Sequence, residues 1–498
     1  MIKEEFPNNF NIKIENFGPI KNAEFNIKPL TVFTGPNNSG KSYSALLINA
    51  LTYYFDGQQY STIPNIFWRD LTFKSLERGF DEISKGLDGP KGDCPDSYKD
   101  LTALSDIRHF SEKKPEKSEK LRIPKGTINC LIKLGLGKFY TELLEEKIKS
   151  TFGTDLKNLI QYGKNYFKIS ENDDIEFRYV DNTIKIIKFP EVDFKLLENN
   201  LDPNVRFKID GNDVILNLDY QKLAEEFENP DFIPSLILLE IYNLVGKPIL
   251  KKLYKNASYY MPAARSEVMQ NYKSFVSNTI RNKDTSLPGV ITDFAATIGD
   301  LPEEKTIFYD LTEEFESEII GGNILMDPSK DFSEIYYENK NFQIPISLTS
   351  SSIWELTPIF LYLKRIVKKG DTLIIDEPEA HLHPKNQRIF VKYLVRLVNK
   401  GLNIIITTHS DYILEQISNF ILLSKISRID RAEMFEYEVD DILEKEKVGL
   451  YLFKQDSSLN YVTEEMEITD QGIPDTSFTP IIEELYDESS NIKEYLFG

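Results

Sequence analysis

The octapeptide GPNNSGKS, Gly35 to Ser42, follows the continuous apolar run LTVFT and precedes the helical pattern YSALLINALTYYF. This order confines the fold. A buried strand, a glycine-bearing loop and an apolar helix in direct succession call for a parallel sheet with a phosphate-binding loop at a strand's C-terminal end. Glycines let the backbone curl so that successive N–H groups converge on one phosphate, and the helix N-terminus adds positive potential. The pattern assigns Gly35, Pro36, Asn37, Asn38, Ser39, Gly40, Lys41, Ser42 and Tyr43 to a nucleotide site. Lys41 is expected to reach the β- and γ-phosphates of ATP, and Ser42 to ligate Mg²⁺. An ordinary Gly/Asn turn is the competing reading, and the flanking strand and helix argue against it.

A second strand end supplies the carboxylates. LIIDEPEAHLHP closes a buried run with Asp376 and Glu377, which a parallel sheet places beside the loop. Asp376 is expected to hold Mg²⁺, and Glu377 to polarise the attacking water, work that contributes about 10²–10⁴-fold. Alone, such a pair reads as a helix N-cap with a favourable dipole charge. Here the next strand, IIITTHS, also ends in polar residues, Thr408, His409 and Ser410, and His409 is expected to contact a γ-phosphate oxygen or the water. Of 4 histidines, His381, His383 and His409 fall in these two segments. No further ligand cluster accompanies His381 and His383, so they read as hydrogen-bonding groups at a subunit or domain contact, not as a metal pair.

Elsewhere the chain alternates between two periodicities. NIKIENF and AEFNI read as short strands before LTVFT. Residues 56–100 carry little regular pattern. Helical periodicity in INCLIKLGLGKFYTELLEEKIKSTF gives way to alternating runs such as IEFRYV and TIKIIKF, expected as antiparallel hairpins, with helices again at 221–255. A hairpin-like block covers 320–348. From 350 the order helix, strand, helix, strand is that of an open α/β sheet. The expected division is a nucleotide-binding core in two parts, 1–55 and 257–430, an insertion of helices and hairpins at 56–256, and an acidic C-terminal extension at 431–498.

Charge separates the parts. The chain has 59 Lys+Arg against 79 Asp+Glu, a net of −20, which argues against a generic nucleic-acid coat. Residues 431–498 carry 18 acidic and 5 basic side chains, so the rest is only mildly acidic and can hold a local basic patch. The stretch 113–125, KKPEKSEKLRIPK, is one candidate; a solvated, proline-broken loop is the plainer reading. The two cysteines, Cys94 and Cys130, and an N-terminus without an apolar h-region fit a cytoplasmic protein. FIPSLILLEIYNLVG, interrupted by Glu240, is too short to span a bilayer, so no membrane partner is expected from this chain itself.

The succession GPNNSGKS, TSSSIWEL, LIIDEPEAHLHP, IIITTHS resembles ATPase heads of the ABC type. It is most similar to the OLD-like (overcoming lysogenization defect) ATPases of phage-defence systems, with SMC and RecF proteins more distant. YMPAARSE at 260–267 resembles a Y-x-P-x-x-R-S element of the same group. The resemblance covers about 1–55, 257–275 and 320–425, with an echo in GIPDTSFTPIIEELYDES. It implies an α/β P-loop NTPase with an ABC-type head: a mixed sheet core, an antiparallel β subdomain and a large, mostly helical insertion. It further implies that two copies sandwich two ATP molecules, with Ser350, Ser351 and Ser352 of one copy donating to the γ-phosphate held by the other. Ser352 stands where the family normally has Gly, which leaves ATP-driven dimerisation less firmly implied than ATP binding. A plain serine N-cap is the competing reading of TSSSIWEL. His381 matches the family's dimer-contact loop. Arg265 reads equally as a phosphate sensor or as an ordinary salt-bridged arginine.

OLD-family nucleases carry a Toprim domain after the head; here 88 residues follow Ser410 and contain no D-x-D metal motif. No histidine follows His409, which removes an HNH nuclease from that segment. The favoured expectation is an ATP-hydrolysing homodimer or higher homo-oligomer that regulates a separate nuclease or toxin-like effector, with DNA as a possible further partner. A RecF- or SMC-like DNA-repair ATPase is the alternative, and a scaffold that binds ATP statically is a third.

Overall fold

The structure is a computed structural model and describes residues 10–53, 119–161, 163–171, 175–188, 193–199, 205–219, 222, 244, 256–263, 265–271, 289–299, 301–327, 334–427, 435–474 and 479–497. The chain divides into two compact units. Met1–Tyr53, Ile148–Asn172 and Asn256–Gly498 form the first, and Tyr54–Lys147 and Asp173–Lys255 form the second.

The strands of the first unit are β1 (Phe10–Phe17), β2 (Ile20–Ile27), β3 (Leu30–Thr34), β4 (Phe167–Glu171), β5 (Ser258–Met261), β6 (Asn323–Asp327), β7 (Glu334–Glu338), β8 (Gln343–Pro345), β9 (Thr372–Asp376), β10 (Asn403–Thr408), β11 (Val448–Gln455) and β12 (Tyr461–Glu465). Its helices are α1 (Lys41–Tyr53), α2 (Gly289–Gly299), α3 (Tyr309–Ile320), α4 (Ser351–Arg365), α5 (Pro384–Asn399), α6 (Asp411–Leu422) and α7 (Thr479–Phe497).

The main sheet of this unit has the order β5-β9-β10-β3-β11-β12-β2-β1-β4. From β5 to β11 every pairing is parallel. Beyond β11 the sheet turns mixed: β12 runs antiparallel to β11, while β2–β1 and β1–β4 are antiparallel pairs. This explains the sequence patterns. β3 is buried at all five positions because it has parallel neighbours on both sides, so it shows no alternation. β1, in the antiparallel wing, alternates buried and partly exposed positions along its middle. Register then aligns the C-terminal strand ends, pairing Thr34 with Thr408 and Asp376 with Thr407.

Strands β6, β7 and β8 form the expected antiparallel sheet. Next to it, the buried Lys364 Nζ of α4 lies 2.7 Å from Glu316 Oε2 of α3 and 3.2 Å from the Ile324 carbonyl oxygen. Burial pushes the Glu316 carboxyl up to about 7 against the opposing pull of Lys364.

Two expectations need correction. The segment 431–498 is not a separate extension: its strand β11 pairs parallel with the central β3 and is buried over most of its length. The reason is local, since VGLYLFKQ is an apolar run inside an acidic stretch and provides the missing neighbour of β3. Aromatic packing fixes it there, with Phe25 and Phe33 centroids 4.7 Å apart and Tyr451 and Phe453 at 5.2 and 5.5 Å from Phe25 and Phe33 respectively. Residues 148–172 also belong to the first unit, not to the insertion.

In the second unit, strand Glu119–Pro124 pairs with Asp213–Leu218, which pairs in turn with Val205–Asp210. Ile175–Val180 and Thr183–Lys188 form a hairpin, and the unit holds most of the helix Lys125–Phe152. The helices expected at 221–255 lie outside the described residues, apart from the single positions 222 and 244. So does 113–118 of the basic stretch; Glu119–Pro124 is a strand, Lys125 begins the following helix, and Arg122 bridges Asp210 at 2.8 Å and Asp213 at 2.9 Å.

Tyr451 ties β11 to β2 by accepting from the Asn26 N–H at 2.7 Å and donating to the Asn26 carbonyl at 2.9 Å. Tyr451→Phe leaves both backbone groups without that partner and is expected to lower unfolding free energy by about 1–3 kcal/mol. Denaturant titration measures it, and an unchanged midpoint would show that the phenol contributes nothing to the pairing.

Candidate functional site: a nucleotide-phosphate loop with paired carboxylates

The loop between β3 and α1 is bent into its shape by backbone that turns left-handed. Gly35 has φ 132°, Asn38 60° and Gly40 103°. A Cβ on Gly35 would stand 2.3 Å from the Phe453 carbonyl oxygen, and one on Gly40 would stand 2.6 Å from Ile20. Both positions therefore need glycine for space as well as for φ. Lys41 is buried and donates to the carbonyl oxygens of Gly35 at 3.0 Å and Pro36 at 2.8 Å. Burial lowers its pKa to about 8, against the pull of Glu377, Asp376 and Glu379. Tyr43 packs edgewise on Phe17 at 6.4 Å and tilted on Phe152 at 5.2 Å, with its ring against Gly18.

Asp376, at the end of β9, is the hub. Its Oδ1 accepts from Ser42 Oγ at 3.0 Å and from the Thr407 hydroxyl, and its Oδ2 accepts from the Tyr260 hydroxyl at 3.0 Å. Burial, then the charge of Asp376, holds the Tyr260 phenol well above its ordinary pKa, so it remains a donor. Glu377 follows with φ 46°, its N–H donating to Thr407 through both the carbonyl oxygen and the hydroxyl, each at 3.1 Å. Burial and the neighbouring Asp376 push its carboxyl up, with Lys41 and Arg265 opposing. A carboxylate made more basic in this way is better matched to taking a proton near neutral pH.

His409 Nε2 stands 3.6 Å from Glu377 Oε1. Burial and the Lys41 charge hold the imidazole below its usual pKa, so at neutral pH this is a dipolar approach, not an ion pair. Glu379 sets the tip of β10, its Oε1 accepting from Thr408 Oγ1 at 2.8 Å and the His409 N–H at 2.6 Å. His383 caps α5, its Nδ1 accepting from the Lys385 N–H at 3.2 Å, while His381 is exposed with φ 60°. Among the described residues no group of three or more His, Cys, Asp and Glu side chains is arranged to hold a metal.

The serine stretch begins α4. Ser350 is the N-cap residue, exposed, with its Oγ 2.9 Å from Ser352 Oγ and without a side-chain cap bond. Arg265 is fully buried and ion-paired with Glu355 at 3.2 Å. Tyr260, Thr407 and Glu379 were not assigned to the site from the sequence, although they lie in its motifs YMPAARSE, IIITTHS and LIIDEPEAHLHP. Tyr260 comes from β5, a four-residue strand paired with β9, and a parallel partner for LIID was the signal that pointed to it.

The chain matches the model of the AAA ATPase domain family over residues 10–414. It belongs to that family. No curated protein matches it. Among solved structures it is similar to an SMC head bound to the C-winged helix domain of ScpA, at 9% identity, covering 92% of this chain and 97% of that one with a TM-score of 0.34. The SMC head domain from Thermotoga maritima matches at 11% identity, 92% and 98% coverage and a TM-score of 0.32. An SMC head with an extended coiled coil, bound to the C-terminal domain of ScpA derived from Pyrococcus furiosus, matches at 10% identity, 96% and 98% coverage and a TM-score of 0.33. At these scores the architecture rests on the sheet order itself.

Membership implies nucleotide binding, and the residues fit it. The hydroxyls of Thr34 and Ser39 are buried without hydrogen-bond partners among the described residues, and Ser42 with Asp376 offers the hard oxygen donors that Mg²⁺ takes alongside phosphate oxygens.

The Lys41 pKa gives a signed pH dependence. Above about pH 8 the amine is neutral, whereas polyphosphate favours the ammonium form, so binding at higher pH takes up a proton and weakens as pH rises. Calorimetry in buffers of different ionisation heat should find uptake of roughly 0.9 proton at pH 9 and little at pH 7. Equal uptake at the two values would place the lysine elsewhere in its titration.

Proposed function

We propose that this chain is an ATP-binding and ATP-hydrolysing subunit of the OLD-like, ABC-type kind, whose nucleotide cycle closes and opens a homodimer and controls a separate effector, in anti-phage defence. The observation that carries the ATPase reading is the Ser42 Oγ–Asp376 Oδ1 contact of 3.0 Å, with Glu377 and His409 on the adjoining strand ends. The defence role and the control of a separate effector are both supported by the order of the four motifs.

Bound MgATP supplies an electrophilic γ-phosphorus whose oxygens are charge-neutralised. The residues of the chain do the rest. Backbone N–H groups of Asn37–Ser42 and the N-terminus of α1 hold the phosphates, and Lys41 turns from the Gly35 and Pro36 carbonyls to them. Ser42 and Asp376 hold the cation. Glu377 takes the proton of the attacking water, and neutral His409 orients that water or a γ-phosphate oxygen. Ser350, Ser351 and Ser352, exposed or partly exposed at the start of α4, donate to a nucleotide on the second copy. The Ser352 side chain stands where glycine would allow closer approach. The DNA-repair alternative rests on the lysines of 113–125.

Glu377→Gln is expected to lower turnover by about 10²–10⁴-fold with ATP still bound, and to trap a species of doubled mass in size-exclusion chromatography with MgATP. Lys41→Ala should lose nucleotide affinity. Turnover unaffected by the glutamine substitution would sink the mechanism, and an E377Q protein of unchanged mass would sink the dimer.

A further inference from the structure

Arg265 holds together two parts of the chain that the hydrolysis reading treats separately. Its guanidinium donates to the Asp376 carbonyl at 2.6 Å, the Glu377 carbonyl at 3.2 Å and the Pro262 carbonyl at 3.0 Å. Its Nε donates to the Glu355 carbonyl at 3.3 Å and lies 3.2 Å from the Glu355 carboxylate. The other Glu355 oxygen accepts from Ser266 Oγ at 2.6 Å and the Ser266 N–H at 3.3 Å. Both members of the pair are nearly or fully buried.

The pairing has a mechanical meaning. Glu355 lies one turn inside α4, whose exposed start carries Ser350, Ser351 and Ser352. Two of the carbonyls on Arg265 belong to Asp376 and Glu377, and Glu377 holds a left-handed backbone that a β-carbon makes costly. A planar fork with five N–H donors matches such a set of acceptors, and a lysine does not. Movement of α4 therefore reaches the Glu377 backbone through one rigid, buried group.

We propose that the Glu355–Arg265 pair is a latch that transmits the position of α4 to Glu377, making Arg265 and Glu355 positioning residues for ATP hydrolysis. The proposal rests on the ATPase reading. When the serine end of α4 engages a nucleotide, the latch sets the Glu377 carboxylate for water; when the latch is broken, nucleotide still binds but Glu377 loses its orientation. Coupling of this kind is reciprocal, so nucleotide at the phosphate loop also changes the surroundings of α4.

The chain supplies its own reporter. It has 2 tryptophans, Trp68 and Trp354, and the buried Trp354 is next to Glu355. In a Trp68→Phe background, MgATP should produce a saturable change in Trp354 emission. Glu355→Gln and the milder Ser266→Ala are each expected to keep the calorimetric ATP affinity and KM within about twofold, lower kcat by about tenfold to a hundredfold, and remove the Trp354 response. Ser266→Ala keeps both charges but removes the 2.6 Å bond that orients the Glu355 carboxylate toward Arg265, so it loosens the latch even where Glu355→Gln does not fold. Wild-type kcat together with an intact Trp354 response in these variants overturns the latch. Reduced kcat with an intact response overturns transmission and leaves local support of Glu377. No heat of ATP binding in the parent protein overturns the ATPase reading first, and the latch falls with it.

Discussion

The site depends on one sheet constraint: β3 is paired in parallel on both sides, by β10 and by β11. Parallel pairing brings the C-terminal ends of neighbouring strands to one edge, where loops and helix N-termini converge. Thr34 thus stands beside Thr408, and Asp376 beside Thr407, before any side-chain interaction is considered. Asp376 then gathers three hydroxyls, from Ser42, Thr407 and Tyr260, contributed by α1, β10 and β5. One carboxylate reports on the placement of three elements.

Electrostatics at this edge follows from burial of unlike groups together. Lys41 is held below its ordinary pKa while Glu377 and Glu379 are held above theirs, each because desolvation disfavours the charged form. Polyphosphate keeps the lysine charged to higher pH, and the carboxylates are more basic where that serves proton removal. The net charge of −20 says little about this neighbourhood, because it arises mostly from exposed surface far along the sequence.

The strand–loop–helix around GPNNSGKS and the carboxylate-ended LIID were legible because each carries its own local pattern. β3, α1, β9 and β10 all form where periodicity placed them. Two features were not legible. β11 was hidden because averaging charge over 431–498 submerges eight residues of strand in a strongly acidic background. Arg265 was ambiguous because arginines are rarely fully buried, and nothing local to YMPAARSE reveals that Glu355, ninety residues on, closes the pair. Local chemistry was readable, and long-range partnership was not.

The close approach of Gly35 to the Phe453 carbonyl has a consequence in time. The loop's supporting wall is made more than four hundred residues after the loop itself. At synthesis rates of about 5–20 residues per second, β3 waits roughly 20–80 s for β11 after its own five residues have emerged. During that interval a strand destined to be wholly buried has an open edge, which is a template for pairing with other chains. A nascent chain therefore carries the complete phosphate-loop sequence long before it has the phosphate-binding shape, and its ability to hold nucleotide reports that the last strand of the parallel core has docked.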